Sequence, residues 1–190
     1  MSFFHFESFW YLCGIAEDAY IRKNPIKGYE FDLDSASLGW LQHVQPILME
    51  LIEKEVRIRP HTNRPHFRLR FFHKDLVTEL WEIKEHPEIV RRINPSSQKQ
   101  YIAGFFDAEG SATITGTNQP MLSMYSTRLD KITILTDLLD NFYIHSGVYL
   151  PEGRNVYQLY ITGRDTIREF AMTIPIRHPE KREKIRLYNL

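Results

Sequence analysis

The chain has 190 residues, 43% of them hydrophobic and 13% aromatic, which is enough apolar material for a packed core and excludes a disordered chain. Basic and acidic residues number 24 each, so the net charge is zero and only a local concentration of basic residues could indicate a nucleic-acid partner. The single cysteine, Cys13, excludes an internal disulfide and favours an intracellular, reducing compartment. No apolar run is long enough to cross a membrane, and the N-terminus lacks the basic start of a signal peptide, so we expect a soluble protein.

The first half is predicted to run helix, hairpin, helix, hairpin, helix. Residues 9–21 read FWYLCGIAEDAYI, a helix with an aromatic start, a small-residue middle and an acidic end. A hairpin over 19–34 follows, and then a helix over 38–55 that Pro46 is expected to sharpen or bend.

Residues 56–74 are predicted to form the second hairpin. Basic side chains alternate with apolar ones in both strands, which gives one apolar face and one basic face. The stretch contains six arginine or lysine residues, three histidines and no acid. A neutral protein therefore concentrates positive charge on this hairpin. A helix over 75–92 completes the half, and residues 94–98, NPSSQ, are predicted to link the halves and cap the next helix.

The second half repeats this order. Residues 101–112, YIAGFFDAEGSA, predict a buried helix that stops where Glu109 emerges, and Gly104 and Ala108 would let a second helix approach it closely. Hairpins over 111–127 and 147–162 and helices over 130–143 and 165–174 follow, and the charged tail RHPEKREKI is predicted to be a solvated helix. The acids Asp18 and Glu109 lie 91 residues apart, and this near-duplication indicates an internal repeat.

The second motif carries a family resemblance. Residues 102–110, IAGFFDAEG, resemble the nine-residue motif of the LAGLIDADG homing endonuclease family position by position, with Glu109 at the metal-binding acid. The order of elements over nearly all of the chain is similar as well. The resemblance implies a monomeric α+β protein in which two pseudo-symmetric αββαββα repeats, residues 1–95 and 96–190, form a saddle-shaped antiparallel sheet with the two motif helices packed at its centre.

The first copy departs from this motif. Its glycine precedes the acid by four residues, Gly14 to Asp18, whereas the interval in the second copy is five. Either the first helix is one residue shorter, or Cys13 occupies the position of the motif glycine. Asp18 is favoured as the equivalent acid because the residues after it then align at the exit from helix to strand, and Glu17 is the alternative.

The resemblance implies a site-specific endonuclease that cuts both DNA strands across the minor groove and leaves cohesive 3′ ends. Hard oxygen ligands suit Mg²⁺, with Mn²⁺ as the expected substitute. The metal ligands are predicted to be Asp18 and Glu109, with Glu17 and the carbonyl of Ala108 beside them. A carboxylate at a helix C-terminus is disfavoured by the helix dipole, so two such placements call for a cation or a function. The basic residues predicted to steady the scissile phosphates are Arg70, Lys74 and Arg164.

The polar faces of the hairpins are predicted to read the major groove, where arginine pairs with guanine and asparagine or glutamine with adenine. The predicted DNA contacts in the first half are Arg22, Lys27, Arg57, Arg59, Arg64, His66, Arg68 and Arg70. Those in the second half form a more neutral set: Thr113, Thr115, Ser123, Tyr125, Arg128, Arg154, Gln158 and Tyr160. This difference predicts an asymmetric footprint on double-stranded DNA. The same fold serves non-cleaving DNA-binding regulators and RNA-splicing maturases, so these functions, the latter with intron RNA as a partner, are the alternative.

Overall fold

A computed structural model describes residues 2–116, 118–153 and 155–188. The first half contains α1 (Glu7–Ile15), β1 (Tyr20–Asn24), β2 (Gly28–Ser35), α2 (Leu38–Ile52), β3 (Ile58–Pro60), β4 (Phe67–Phe72), α3 (Lys74–Glu85) and a 3₁₀ helix (Pro87–Arg92). The second half contains α4 (Pro95–Glu109), β5 (Gly110–Ile114), β6 (Pro120–Ser126), α5 (Leu129–Asp140), β7 (Gly147–Tyr149), β8 (Tyr157–Thr162), α6 (Arg164–Thr173) and α7 (Pro179–Arg186). No helix of the described residues is long and apolar enough to cross a membrane.

The protein has the predicted α+β class, but its strands form two sheets instead of one continuous sheet. The strand orders are β1-β2-β4-β3 and β5-β6-β8-β7, and all pairs are antiparallel. In the first sheet Phe31 pairs with Phe71 and Leu33 with Leu69, and all four side chains are buried. Because side chains alternate along a strand, each sheet keeps a second, polar face on the side away from this core.

Two helix boundaries differ from those predicted. The helix expected over 75–92 is interrupted, because Pro87 cannot donate a backbone hydrogen bond and begins a separate 3₁₀ helix. The helix expected over 38–55 ends at Ile52, where Glu53 takes a left-handed conformation with φ of 52°. The predicted cap of the second motif helix is confirmed, since Asn94 Oδ1 accepts a hydrogen bond from the Ser97 amide at 2.9 Å.

The two motif helices, α1 and α4, pack against each other through glycine. A Cβ atom placed on Gly104 would lie 2.0 Å from the Tyr11 carbonyl oxygen, and one placed on Gly14 would lie 2.2 Å from the Tyr101 carbonyl oxygen. Each glycine thus rests on the carbonyl three residues before the other glycine. This reciprocity makes Gly14 the counterpart of Gly104, and the alternative that placed Cys13 there is wrong.

The first motif copy is one residue shorter than the second, and this difference lies after the glycine contact. The helix α1 ends at Ile15, and the Glu17 and Asp18 amides donate to carbonyls only three residues earlier, so the chain leaves the helix in a tightened turn. The glycines are 90 residues apart, whereas the strands that follow correspond at a spacing of 91, with Ile21 pairing to Phe31 as Ala112 pairs to Leu122. Counted from these strands, Asp18 is the structural counterpart of Glu109.

Candidate active site and nucleic-acid interface

The motif acids stand at the ends of the packed helices. Glu109 is the last residue of α4, and Asp18 lies in the turn that follows α1. Burial raises the pKa of Asp18. Burial also raises the pKa of Glu109, and the charge of Asp18 raises it further. The Glu109 carboxylate therefore lies within the electrostatic influence of Asp18 in a partly dry site, a setting in which a bound cation would relieve the repulsion.

Two lysines that the sequence did not single out cap these helix ends. Lys84 Nζ donates to the carbonyls of Ala16 (2.6 Å), Glu17 (3.1 Å) and Ala19 (2.9 Å). Lys181 Nζ donates to the carbonyls of Phe106 (2.8 Å), Asp107 (2.7 Å) and Ala108 (3.4 Å). An ammonium group has three N–H bonds, so both lysines are fully engaged and act on the site through their charge. Burial lowers the pKa of Lys181 to about 8, against the raising effect of the nearby acids.

The charged tail is not a solvated helix. Ile185 and Tyr188 are buried, and the Tyr188 hydroxyl donates to the Thr113 carbonyl at 2.9 Å. Lys181, Ile185 and Tyr188 are spaced as one face of a helix, and that spacing is the signal in the sequence that predicts a packed α7. The packing of α7 therefore places Lys181 at the C-terminal end of α4.

The other acids of the motifs belong to the helix interface. The Glu17 side chain is 5% exposed, forms an ion pair with Lys131 and accepts a hydrogen bond from the Tyr101 hydroxyl at 3.3 Å. Asp107 stands in the mirrored position and accepts from the Tyr11 hydroxyl at 2.6 Å and from two backbone amides of the segment before α7. The geometry therefore favours Asp18 over Glu17 as the partner of Glu109.

The predicted basic residues of the site are only partly brought together. Arg70 lies on β4 and lines one cleft with Asp18. Lys74 is exposed at the start of α3, ten positions before Lys84, so about 15 Å of helix separates it from the end that approaches the acid. Arg164 is likewise exposed at the start of α6. The helix ends are contacted by Lys84 and Lys181, and the role of Lys74 and Arg164 at the scissile phosphates stays a prediction.

The polar face of the first sheet forms a cleft of about 610 Å³, here called the polar cleft. Its lining residues are Asp18, Tyr20, Arg22, Glu30, Asp32, Asp34, Arg64, His66, Arg68 and Arg70. The basic hairpin predicted from the sequence does not stand alone, because β2 places three acids beside the arginines of β4. The other predicted contacts of this half lie outside the cleft. Arg57 forms an ion pair with Glu55 at 2.8 Å, Arg59 is exposed on β3, and Lys27 is exposed in the turn between β1 and β2.

The polar face of the second sheet has a different character, since β5 to β8 contain no charged residue. Thr113 is exposed, while Thr115, Tyr125, Gln158 and Tyr160 are half-buried. Ser123 is buried beneath this surface and accepts a hydrogen bond from Gln158 at 2.9 Å.

Arg128 serves as a link between the halves. It pairs with Asp130 at 2.5 Å and donates to the carbonyls of Lys84 and Glu85, both at 3.2 Å. The predicted contact at Arg154 lies outside the described residues.

Residues 96–175 match the family model of the LAGLIDADG-like domain. This part of the chain is similar to a LAGLIDADG-like domain. The match begins one residue into α4 and covers the second motif helix and second sheet. It confirms the resemblance that the residues of the second copy carry. No curated protein matches the chain significantly in sequence.

Solved structures extend the LAGLIDADG fold to the whole chain. The crystal structure of I-DmoI with DNA and Ca has a TM-score of 0.71 and 22% sequence identity, and the match covers 97% of this chain and 98% of that one. The homing endonuclease I-WcaI bound to its DNA recognition sequence has a TM-score of 0.70 at 19% identity, covering 94% and 85%. The N-terminal LAGLIDADG domain of DUF199/WhiA has a TM-score of 0.62 at 17% identity, covering 90% and 83%. At these identities the likeness establishes the fold.

The donor set at the helix ends fits a hard divalent cation. Asp18 and Glu109 supply two carboxylates, and no group of three or more histidine, cysteine or acidic residues able to hold a metal is found in the part of the chain that the structure describes. Mg²⁺ commonly takes one or two carboxylates and completes its shell with water and substrate phosphates. The Ala108 carbonyl, predicted as a further ligand, accepts a hydrogen bond from Lys181.

Proposed function

We propose that this protein is a site-specific double-strand DNA endonuclease that hydrolyses one phosphodiester in each strand with Mg²⁺ and leaves 3′ overhangs. One observation carries the proposal: each motif copy sends one carboxylate, Asp18 or Glu109, to the same end of two helices held in backbone contact. Two acids, one for each strand, match the two bonds that a double-strand break requires.

The chain's own residues provide binding, charge and orientation at this site. Asp18 and Glu109 in their ionised forms would hold the cation, which when bound neutralises phosphate charge and activates water. Lys84 and Lys181, each fixed by three carbonyls, place positive charge next to the acids without competing for the phosphate oxygens. Because burial brings the pKa of Lys181 to about 8, this charge is present at neutral pH and declines above it.

The two polar faces are the proposed contact surface for duplex DNA. Both motif copies are in one chain and pack on each other, so a monomer carries a complete site. The matched I-DmoI and I-WcaI structures contain DNA, which supports duplex DNA as the partner in place of intron RNA. The charged first face and uncharged second face support an asymmetric target.

One observation favours a second candidate, a DNA-binding protein that does not cut both strands. The exit from α1 is one residue shorter than the exit from α4, so Asp18 leaves a tightened turn while Glu109 ends a regular helix. A shift of about 1 Å in a catalytic group can cost a hundredfold in rate. Strand cutting near Asp18 is therefore the step on which the two candidates differ.

The test is selection from a randomised duplex library in the presence of Mg²⁺, with bound and cleaved molecules sequenced separately. The proposal predicts that one long asymmetric sequence is enriched in both pools, with staggered ends that carry 3′ overhangs. A parallel selection with Lys181→Met should enrich the same bound sequence but few cleaved molecules. Enrichment of a bound site without cleavage under Mg²⁺ or Mn²⁺ would support the second candidate, and no enrichment at all would contradict both.

A further inference from the structure

The polar cleft contains acids where a DNA-binding face would be expected to be basic. Glu30, Asp32 and Asp34 alternate along β2, in the interior of the first sheet, and all point to its polar face. Their strand register places them opposite Phe72, Arg70 and Arg68 of β4. Acids on such a face repel phosphate, so their presence calls for an explanation.

Each of these acids forms an ion pair with at least one arginine. Glu30 is 2% exposed and pairs with Arg22, at 2.5 Å, and with Arg70. Asp32 is 7% exposed and binds Arg68 through both oxygens, with Nε to Oδ1 at 2.6 Å. A two-bond contact between planar groups fixes the orientation of a guanidinium, which a single point contact does not.

The cleft also keeps free hydrogen-bonding capacity. Arg22 Nε, Asp34 Oδ1 and His66 Nδ1 are buried and have no hydrogen-bond partner. Buried polar atoms normally have a hydrogen-bond partner, and Asp34 Oδ1 has only an ion contact with Arg68 Nε at 4.0 Å. Three such atoms in one cleft point to a ligand with its own donors and acceptors. The edges of base pairs in the major groove are such a ligand, and phosphate, which carries acceptors only, is not.

We propose that Glu30 and Asp32 are positioning residues for sequence discrimination. They orient the guanidinium groups of Arg22, Arg68 and Arg70 toward guanine and keep these groups from binding phosphates. The inference rests on the proposed function in that it takes the polar cleft as a DNA-contacting face. An arginine paired with a carboxylate on one side still presents its remaining N–H groups to guanine O6 and N7. The carboxylate offsets the charge that would otherwise attract any phosphate.

The inference is tested with Glu30→Gln and Asp32→Asn, and Glu50→Gln serves as the matched control. Glu50 is exposed on α2, so its change removes the same charge outside the cleft. Dissociation constants for the selected duplex and for a random duplex are measured from 50 to 200 mM salt without a cleavage-supporting metal.

Both cleft variants should bind random duplex about tenfold more tightly than the control does. The slope of the logarithm of the binding constant against the logarithm of the salt concentration should become steeper by about one for each arginine released onto phosphate. The ratio of specific to random affinity should fall at least tenfold. The double variant Asp32→Asn with Arg68→Gln should return random binding to the control value without restoring the ratio. Thermal unfolding of each variant establishes that it is folded at the assay temperature.

An unchanged affinity ratio in a folded Asp32→Asn variant would overturn the inference and leave the endonuclease proposal standing. If Glu30→Gln does not fold, Asp32→Asn alone tests the inference. This variant is expected to fold, because the partner of Asp32, Arg68, is 38% exposed and can be solvated. A wild-type protein that prefers no duplex over another would overturn both proposals.

Discussion

The glycine contact between α1 and α4 gives the sharpest prediction about the stability of the protein. In Gly104→Ala the new Cβ would lie 2.0 Å from the Tyr11 carbonyl oxygen and 3.1 Å from the Ile15 amide nitrogen. Ordinary contacts of a Cβ atom lie at 3.4 to 4 Å, so the helices must separate by more than 1 Å. Both obstacles are backbone atoms, and therefore no side-chain rotation can relieve the clash.

Overpacking of a core costs about 1–3 kcal/mol, and separation of two buried helices adds lost packing, so we expect the free energy of unfolding to fall by about 3 kcal/mol. With an m-value of about 2 kcal/mol/M, the urea midpoint should fall by about 1.5 M. Gly116→Ala is the control, because its Cβ would meet nothing within 4 Å and its effect should stay within about 0.5 kcal/mol. A Gly104→Ala protein that unfolds at the wild-type urea concentration would refute the description of the helix pair.

Three further predictions follow from buried groups. The pKa values of Asp18 and Glu109 are raised in the folded state, so their stabilising contribution is present at low pH and is lost as pH rises through the folded pKa. Asp18→Asn and Glu109→Gln should therefore raise the melting temperature at pH 7 and leave it unchanged at pH 3. An equal rise in melting temperature at both pH values would contradict this. Tyr11→Phe removes the hydroxyl that donates to Asp107 and should lower the free energy of unfolding in urea by about 1–2 kcal/mol. The control Tyr143→Phe changes a side chain that is 85% exposed and should leave the free energy of unfolding unchanged. Burial raises the pKa of the Cys13 thiol, so a thiol reagent should label it only on unfolding, and rapid labelling of the native protein would argue against a buried α1.

The order of elements could be predicted from the sequence because its signals are local. Alternation marks the strands, 3.6-residue spacing marks the helices, and Asn94 caps α4 through a residue only three positions away. The two motif acids could be predicted for the same reason, since each stands at or just after the end of a helix whose glycine requires a close partner. The end of α1 was harder to place, because the one-residue difference shows only when the reciprocal contacts of Gly14 and Gly104 are seen.

The charges of the site could not be predicted in this way, because they depend on contacts between distant residues. Asp32 meets Arg68 across 36 positions, and a local window over the basic hairpin shows no acid. Lys84 and Lys181 reach the carbonyls of helices that lie more than sixty positions away in the chain. Each side chain is an ordinary helix lysine in the sequence, and only the packing of α3 and α7 gives it a role.

Strand-resolved cleavage tests the central claim, that Asp18 and Glu109 form one composite site. A supercoiled plasmid with the selected target is incubated with Mg²⁺ and wild-type protein, Asp18→Asn, Glu109→Gln or the Glu50→Gln control, and nicked and linear products are quantified. Wild type and control should linearise the plasmid, while each acid variant should bind the target with wild-type affinity and lose linearisation. Linearisation by either acid variant at the wild-type rate would contradict the account.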